Sequence, residues 1–309
     1  MATISVLIPV YNVATYVAEA IASIQSQTIS DIEMVIVDDG STDGTLQIVE
    51  QIASADSRIK VVRTARNQGL PLALNLGLSH CRAPFIARMD GDDVALPARL
   101  EKQLQYLEKH PDIALVGCAT TAIDERGQAI PGLGVSRKPV TQEEISNTVL
   151  LAPPCSHIWL ARREVYDTLS GYRQILVAED YDFLLRAIYC GFRVTNLPEP
   201  LMKIRTRTGN ISSRLEQRKA HYYIANLYRE RLAHGEDDFS REKYARAVKS
   251  GKMESRAFRL ATKCVQRGLR SRSRTLRYCL LAVSALASPW QVRYFLLRFQ
   301  LKMALRTQG

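Results

Sequence analysis

Residues 3–12 read TISVLIPVYN and residues 33–45 read EMVIVDDGSTDGT. Each stretch begins with a short run of β-branched and apolar side chains. A segment with helical spacing follows each run, at residues 16–27 and 42–53. Strands and helices that alternate in this way predict a parallel sheet covered by helices on both faces.

The same alternation continues along the chain. Further strands are predicted at 58–63, 84–89, 113–120 and 156–161, and further helices at 70–79, 98–110 and 179–189. Ser41 or Thr42 is expected to cap the second helix, and Thr141-x-x-Glu144 is a capping box that begins another. Two prolines are expected to break residues 192–205 into short extended pieces.

Composition limits the class of protein. The chain has 309 residues, of which 46% are hydrophobic and 24% charged, so it is expected to fold as one large α/β domain with an appendage. Its six cysteines form no C-x-x-C pair, which argues against a zinc site or a disulfide framework. The uncharged stretch at residues 278–291 is shorter than the roughly 20 residues that span a bilayer. With no secretory leader pattern, the sequence predicts a cytoplasmic protein.

Charge is distributed unevenly. From Arg241 onward the chain has 17 basic and two acidic side chains, whereas residues 1–240 carry a net charge of −4. A basic tail attracts polyanions, either nucleic acid or an anionic membrane. Few aromatic side chains accompany the arginines of residues 241–277, so we expect no nucleic-acid partner.

Polar clusters follow three of the predicted strands. They are Tyr11-Asn12, Asp38-Asp39-Gly40-Ser41 and Asp90-Gly91-Asp92-Asp93. Ligands of open α/β sheets bind at the carboxyl ends of strands, and dense carboxylates suit Mg²⁺ or Mn²⁺ shared with substrate phosphates. The P-loop pattern G-x-x-x-x-G-K-[ST] and the dinucleotide pattern G-x-G-x-x-G are both absent from the sequence.

Five motifs occur in order along residues 3–213. They are PVYN at 9–12, VDDGSTDGT at 37–45, Asn67-x-Gly69, ARMDGDD at 87–93 and AEDYD at 178–182. As a set they resemble the family 2 glycosyltransferases, and especially the bacterial exopolysaccharide and O-antigen branch. The resemblance implies the GT-A fold, which is α/β and Rossmann-like with a mostly parallel central sheet, at residues 1–213. A basic α-helical region at 214–309 would follow it.

The resemblance also implies roles for single residues. Asp180 would be the general base that deprotonates the acceptor hydroxyl, in an inverting reaction, and Asp92 with Asp90 would bind Mn²⁺ or Mg²⁺. Glu179 and His157 would lie on the acceptor side. The nucleotide-sugar, a UDP-sugar by preference, would be bound by Pro9, Tyr11, Asp39, Asn67, Asp90, Arg205 and Arg207.

One segment departs from the family pattern. Where the family often has Tyr-Arg-x-His-x-x-x-x-Ser, this chain has Ile204 for the tyrosine and Arg207 for the histidine. An arginine cannot ligate a metal, although it can bind a diphosphate. The segment is therefore expected to contact the leaving group through Arg205 or Arg207.

The tail suggests a location. Trp290, Tyr294, Leu297, Leu301 and Leu305 recur every three or four residues, and this face is expected to lie on anionic lipid near a polyprenyl-linked acceptor. The alternative is a helix packed on the domain or on a protein partner. The tail thus favours a peripheral protein at the inner face of the cell membrane.

Two other functions fit parts of the pattern. A nucleotidyltransferase shares the architecture but is expected to have a glycine-rich, lysine-bearing loop, and residues 11–19 contain neither residue type. A non-catalytic nucleotide-sugar binding module would keep the fold without turnover. The three carboxylates Asp90, Asp92 and Asp180 favour the enzyme, acting on a glycan or polyprenyl-linked acceptor in cell-surface polysaccharide synthesis.

Overall fold

The computed structural model describes residues 2–207, 215–270 and 273–304. They form two compact units, one made of residues 2–146 with 153–207, the other of residues 147–152 with 215–304. The predicted boundary near residue 213 falls outside the described residues.

The first unit is built on an eight-stranded sheet. Its strands are β1 (Ile4–Val10), β2 (Ile32–Asp38), β3 (Ile59–Arg63), β4 (Phe85–Arg88), β5 (Val94–Ala95), β6 (Ile113–Ile123), β7 (Leu160–Arg162) and β8 (Arg193–Arg205). Their order across the sheet is β3-β2-β1-β4-β7-β6-β8-β5. The pairs β3–β2, β2–β1, β1–β4 and β6–β8 are parallel, and the pairs that involve β7 or β5 are antiparallel.

Helices connect these strands. They are α1 (Val17–Gln25), α2 (Thr45–Ala55), α3 (Leu70–Leu78), α4 (Arg99–Lys109), α5 (Gln142–Thr148), α6 (Arg163–Leu169) and α7 (Glu179–Tyr189). The capping box before α5 is confirmed, because Thr141 Oγ1 accepts from Glu144 N while Glu144 accepts from Thr141 N.

The central strand β1 shows why the sheet is covered on both sides. All seven of its residues are buried. Val6 and Ile8 pack with Ile21 of α1 in one core cluster, and Leu7 packs with Leu74 of α3 in the other. Because alternate side chains of a strand point to opposite faces, a continuously apolar strand needs a helical layer on each face.

Three local predictions were wrong. Helix α2 begins at Thr45 with Gly44 as its N-cap, and Asp43 rather than Ser41 or Thr42 accepts the bond from Thr45 N. Strand β7 covers only the end of the predicted 156–161 segment. β8 is one strand despite Pro198 and Pro200, because both lie where its register with β6 shifts and the ladder of hydrogen bonds is interrupted.

The second unit is helical in its described part. Its helices are α8 (Leu215–His234), α9 (Arg241–Val248), α10 (Lys252–Arg270), α11 (Arg274–Ala287) and α12 (Pro289–Ala304). Among the residues that the structure describes, no helix combines the length and the apolar character that crossing a bilayer requires.

Aromatic side chains pack α12 against its neighbours. Trp290 stands edge-on to Tyr222 of α8 and donates its indole N–H to Glu254 of α10, 3.1 Å away. The Arg218 guanidinium lies 3.9 Å from the centre of the Tyr294 ring. Trp290 and Tyr294, from the face that was predicted to lie on lipid, are therefore packed inside this unit, and Leu305 lies outside the described residues.

A different apolar stripe of α12 is exposed instead. Val292, Leu296, Phe299 and Met303 recur at helical spacing and are 37%, 58%, 65% and 46% exposed. The sequence alone could not predict which face of α12 is buried, because both faces carry apolar side chains. The packing of Trp290 and Tyr294 decides which face is covered.

Gly40 provides a test of how the loops at the edge of the sheet fit together. It has a φ of +73°, and a Cβ added there would lie 2.6 Å from the backbone carbon of Arg66. Gly44 has a similar positive φ of +92° but no atom near an added Cβ. We expect Gly44→Ala to lose about 1 kcal/mol of unfolding free energy from backbone strain, and Gly40→Ala to lose at least twice as much from strain and clash. Urea unfolding of both variants measures the difference, and equal losses would contradict the close approach of the two loops.

Candidate active site

The candidate site lies where β1, β2 and β4 end at one edge of the sheet. Asn12, with a φ of 51°, accepts from Thr42 N at 2.9 Å and donates its own N–H to Ser41 Oγ at 3.1 Å. Gly91 packs so closely on β1 that an added Cβ would lie 2.5 Å from Val10 Cγ1. These contacts bring the three predicted polar clusters together.

The predicted nucleotide-binding residues differ in exposure. Pro9 is buried at the end of β1, whereas Tyr11 is 44% exposed and Asn67 is exposed. Asp39 is buried, and its oxygens accept from Gln68 N, Gly69 N and Thr64 Oγ1. The observed contacts of Asp39 hold the loop after β3 in place. Its recognition of the nucleobase of the donor stays a prediction.

An acidic cluster with one imidazole forms beside these loops. His157 Nε2 lies 3.4 Å from Asp90 Oδ2 and 3.3 Å from Asp93 Oδ2. One ligand atom from each of the three residues lies within 4.8 Å of the others. Sequence reasoning quoted Asp93 but gave it no role, and placed His157 on the acceptor side without its contact to the acids.

Charge at the cluster is balanced by cations. Burial would raise the pKa of Asp90, but His157 and Arg88 outweigh it and hold that pKa below its ordinary value. Burial would lower the pKa of His157, but Asp90 and Asp93 outweigh it and raise that pKa to about 9. Burial and the negative charges of Asp93 and Asp90 raise the pKa of Asp92 to about 6. The imidazole is thus protonated at neutral pH in the metal-free protein.

Asp92, which interacts electrostatically with this cluster, is paired with an arginine. One of its oxygens is 2.7 Å from Arg207 Nε, in an ion pair whose N–H is not aligned for a hydrogen bond. The structure therefore groups Asp90 with Asp93 and His157, and pairs Asp92 with the arginine that replaces the family's histidine.

Arg205 is enclosed by protein. Its side chain is 1% exposed, and it donates to the carbonyls of Asp92 and Asp124 and to the carboxylate of Glu19. Its guanidinium also lies 4.7 Å from the centre of the Tyr16 ring. These contacts hold the Asp90–Asp93 turn in place, so Arg207, which is 31% exposed, is the better placed of the two for a bound anion.

The predicted base stands at the first turn of α7. Ala178 precedes the helix in the left-handed conformation, with a φ of 66°. Glu179 is buried and accepts from Arg88 at 2.8 Å, so its carboxylate faces protein rather than solvent. Asp180 is half-buried and one of its oxygens accepts from Tyr181 N.

Asp180 also faces a cavity of about 480 Å³. The cavity is lined by Asp180, His157, Ser156, Cys155, Pro153, Lys138, Ser136, Gly134, Leu133, Gly132, Ala122, Thr120 and Ile204. His157 contributes to both the cavity and the acidic cluster. Asp180, the predicted base, and the imidazole of the acidic cluster thus border the same cavity, whereas the predicted metal ligands Asp90 and Asp92 do not line it.

Arg88 is the main site residue that the sequence reasoning missed. It ends β4 and is 1% exposed. A signal existed, because an arginine within the apolar run PFIARM is costly to bury unless an acid pairs with it. The sequence gave no indication of which acid that is.

The chain is similar to known proteins of one family. The model of glycosyl transferase family 2 matches residues 5–170. The putative glycosyltransferase EpsE of Bacillus subtilis is 38% identical over 213 residues, which are 65% of this chain and 72% of that protein. The amylovoran biosynthesis glycosyltransferase AmsE of Erwinia amylovora is 33% identical over 243 residues, which are 77% of this chain and 88% of that protein.

Solved structures share the fold. TarS of S. aureus in complex with UDP-GlcNAc has a TM-score of 0.63 at 19% identity, over 99% of this chain and 90% of that chain. The mannosyltransferase PcManGT from Pyrobaculum calidifontis, in complex with GDP-Man and Mn²⁺, has a TM-score of 0.59 at 17% identity, over 99% of this chain and 88% of that chain. The predicted α/β fold of the GT-A type is confirmed.

The two arginines of the 205–207 segment allow a test of the site's support. Arg205→Gln should cost about 2 to 3 kcal/mol of unfolding free energy, because buried carbonyls lose their donors. Arg207→Gln should cost less than about 1 kcal/mol, because its ion pair is partly solvated. Urea unfolding gives both values, and equal losses would show that Arg205 does not hold the turn.

Proposed function

Because the chain belongs to glycosyl transferase family 2 and is a glycosyltransferase, we propose that it transfers a sugar from a UDP-sugar to a hydroxyl of a glycan or polyprenyl-linked acceptor, with inversion. One observation carries the proposal. Asp180 and His157 line the same cavity, while His157 also contacts the Asp90–Asp93 cluster. A general base and a site for the leaving diphosphate therefore border one space.

The relatives support the substrate class. The name of AmsE attributes a biosynthetic role in amylovoran to that protein. TarS was crystallised with UDP-GlcNAc, and PcManGT with GDP-Man and Mn²⁺. By analogy we assign this chain a nucleotide-sugar donor and a role in cell-surface polysaccharide synthesis.

The acidic cluster suits a divalent cation. Asp90 Oδ1 is buried without a hydrogen-bond donor, and Asp93 and His157 add an oxygen and a nitrogen nearby. Mg²⁺ prefers oxygen ligands, whereas Mn²⁺ also accepts imidazole, so this set favours Mn²⁺. When bound, the cation would stabilise the negative charge that develops on the diphosphate.

Asp180 has the position that a base requires. It stands at the start of α7, half-buried, with its side chain on the cavity where an acceptor hydroxyl would lie. A carboxylate there can take the proton of the hydroxyl as the hydroxyl attacks the sugar. Attack from the side opposite the leaving diphosphate inverts the configuration at the anomeric carbon.

Location at the cytoplasmic face of the membrane completes the proposal. Residues 1–213 would be the catalytic domain, and the basic helices of 214–309 would bind anionic lipid. The exposed stripe of α12 supports this, as does a second stripe on α11 formed by Leu276, Cys279, Val283 and Leu286. Exposed cations stand on the same unit: Arg256, Arg259, Lys263, Arg267, Arg293 and Arg298.

The role of Asp180 leads to a direct prediction. Asp180→Asn keeps the shape of the side chain but removes the base, so transfer from UDP-sugars should fall by about 10² or more. Binding of UDP should stay within about twofold, because the substitution leaves the strand ends unchanged. Asp167→Asn, at an exposed acid of α6, is the control and should keep wild-type activity.

Wild-type turnover in Asp180→Asn would remove Asp180 from the mechanism. A wild-type chain that binds UDP but transfers no sugar to any glycan or polyprenyl-linked acceptor would favour the non-catalytic binding module. The nucleotidyltransferase alternative loses support through the family match.

The lipid-facing surface is tested by matched leucines. Leu296 of α12 is 58% exposed and Leu232 of α8 is 60% exposed. Leu296→Gln combined with Phe299→Gln should weaken binding to vesicles with anionic lipid by about tenfold or more, because apolar area no longer enters the interface. Leu232→Gln should change binding by less than about twofold. Equal effects in a vesicle sedimentation assay would move the membrane contact away from α12.

A further inference from the structure

One guanidinium nitrogen connects the two halves of the site. Arg88 Nη2 lies 2.8 Å from Glu179 Oε1 at the start of α7 and 3.6 Å from Asp90 Oδ1 after β4. Glu179 immediately precedes the predicted base, and Asp90 belongs to the predicted cation cluster. The positive charge of Arg88 therefore interacts with both carboxylates, Glu179 in one half and Asp90 in the other.

The surroundings of Arg88 fix this charge in place. Its guanidinium lies 5.8 Å from the centre of the Trp159 ring and 5.6 Å from that of Tyr172. Its Nε and Nη1 have no hydrogen-bond partner in the part of the chain that the structure describes. Its own carbonyl accepts from Arg99 Nη2 at 2.8 Å. Because arginine stays protonated in proteins, Arg88 is a buried cation that pairs with Glu179 and Asp90.

We propose that Arg88 is a positioning residue with two effects. It sets how strongly Asp90 attracts a divalent cation, and it holds Asp180 in position at the start of α7. The inference rests on the proposed function. While Glu179 shares the guanidinium, Asp90 keeps enough negative charge to attract a divalent cation, and the first turn of α7 is tied to the end of β4. Without Glu179, Arg88 would neutralise more of the negative charge of Asp90. The ion pair that joins the first turn of α7 to the end of β4 would also be lost.

Helix α7 supplies a matched control. Asp182 is 1% exposed and accepts from Arg186 Nε at 2.8 Å, with Arg173 Nη1 3.7 Å away. The Asp182–Arg186 pair resembles the Glu179–Arg88 pair in burial, and Asp182 lies on the same helix as Glu179. Among the ion pairs of the described residues, none joins Asp182 or Arg186 to Asp90. Removing the charge of Asp182 tests the general cost of breaking a buried pair on α7.

The experiment compares Glu179→Gln with Asp182→Asn in the full chain. Mn²⁺ binding is measured by electron paramagnetic resonance, transfer by kcat and donor KM, and stability by thermal midpoint. Glu179→Gln should raise the Mn²⁺ dissociation constant and lower kcat, each by 10- to 100-fold, the range seen when partners of metal ligands are removed. Asp182→Asn should lower the thermal midpoint while both constants stay within about twofold.

Glu179→Asp keeps the charge and should recover part of both losses. Wild-type Mn²⁺ affinity and kcat in Glu179→Gln, with only a lower midpoint, would overturn the proposal and leave Arg88 as a structural residue. If the wild-type chain transfers no sugar but Glu179→Gln still weakens Mn²⁺ binding, the proposed function fails and the link from Arg88 to Asp90 stands. Absence of both Mn²⁺ binding and transfer in the wild-type chain would refute both.

Discussion

Compensation of buried negative charge at the carboxyl edge of the sheet is the constraint on which the site depends. Asp90, Asp92, Asp93 and Glu179 are partly or fully buried there and lie near one another. Such burial is costly unless each is paired. Arg88, His157 and Arg207 supply the positive charge, and each contacts at least one of these carboxylates. The cations come from β4, from the loop before β7 and from the residues after β8, so the site is complete only when these parts of the sheet are assembled.

Local periodicity in the sequence predicted most of the first unit. The apolar runs predicted β1 and β2 because a strand buried on both faces has no polar positions. Helix α7 was predicted with its observed bounds, since its acids crowd the first turn and its apolar residues have helical spacing. The acids of the site could also be found from sequence, because carboxylates at successive strand ends converge on one edge.

The rest depended on contacts between distant residues, which leave no local signal. His157 meets Asp93 across 64 positions, and Arg205 meets Glu19 across 186. The exposed face of α12 was missed for the same reason, because two apolar faces compete and only packing on α8 and α10 covers one of them. Arg88 could be suspected from its apolar neighbours, but Glu179 as its partner lies 91 positions away.

The proposed function requires that a nucleotide-sugar donor binds at the Asp90, Asp93 and His157 cluster together with a divalent cation. Calorimetric binding of UDP, GDP, dTDP and CMP, each with and without Mn²⁺, tests it most directly. We expect UDP to bind tightly only with Mn²⁺, and we expect its affinity to fall about tenfold or more in Asp93→Asn. Binding of no nucleotide, or UDP binding that is the same without Mn²⁺ and in Asp93→Asn, would contradict this requirement.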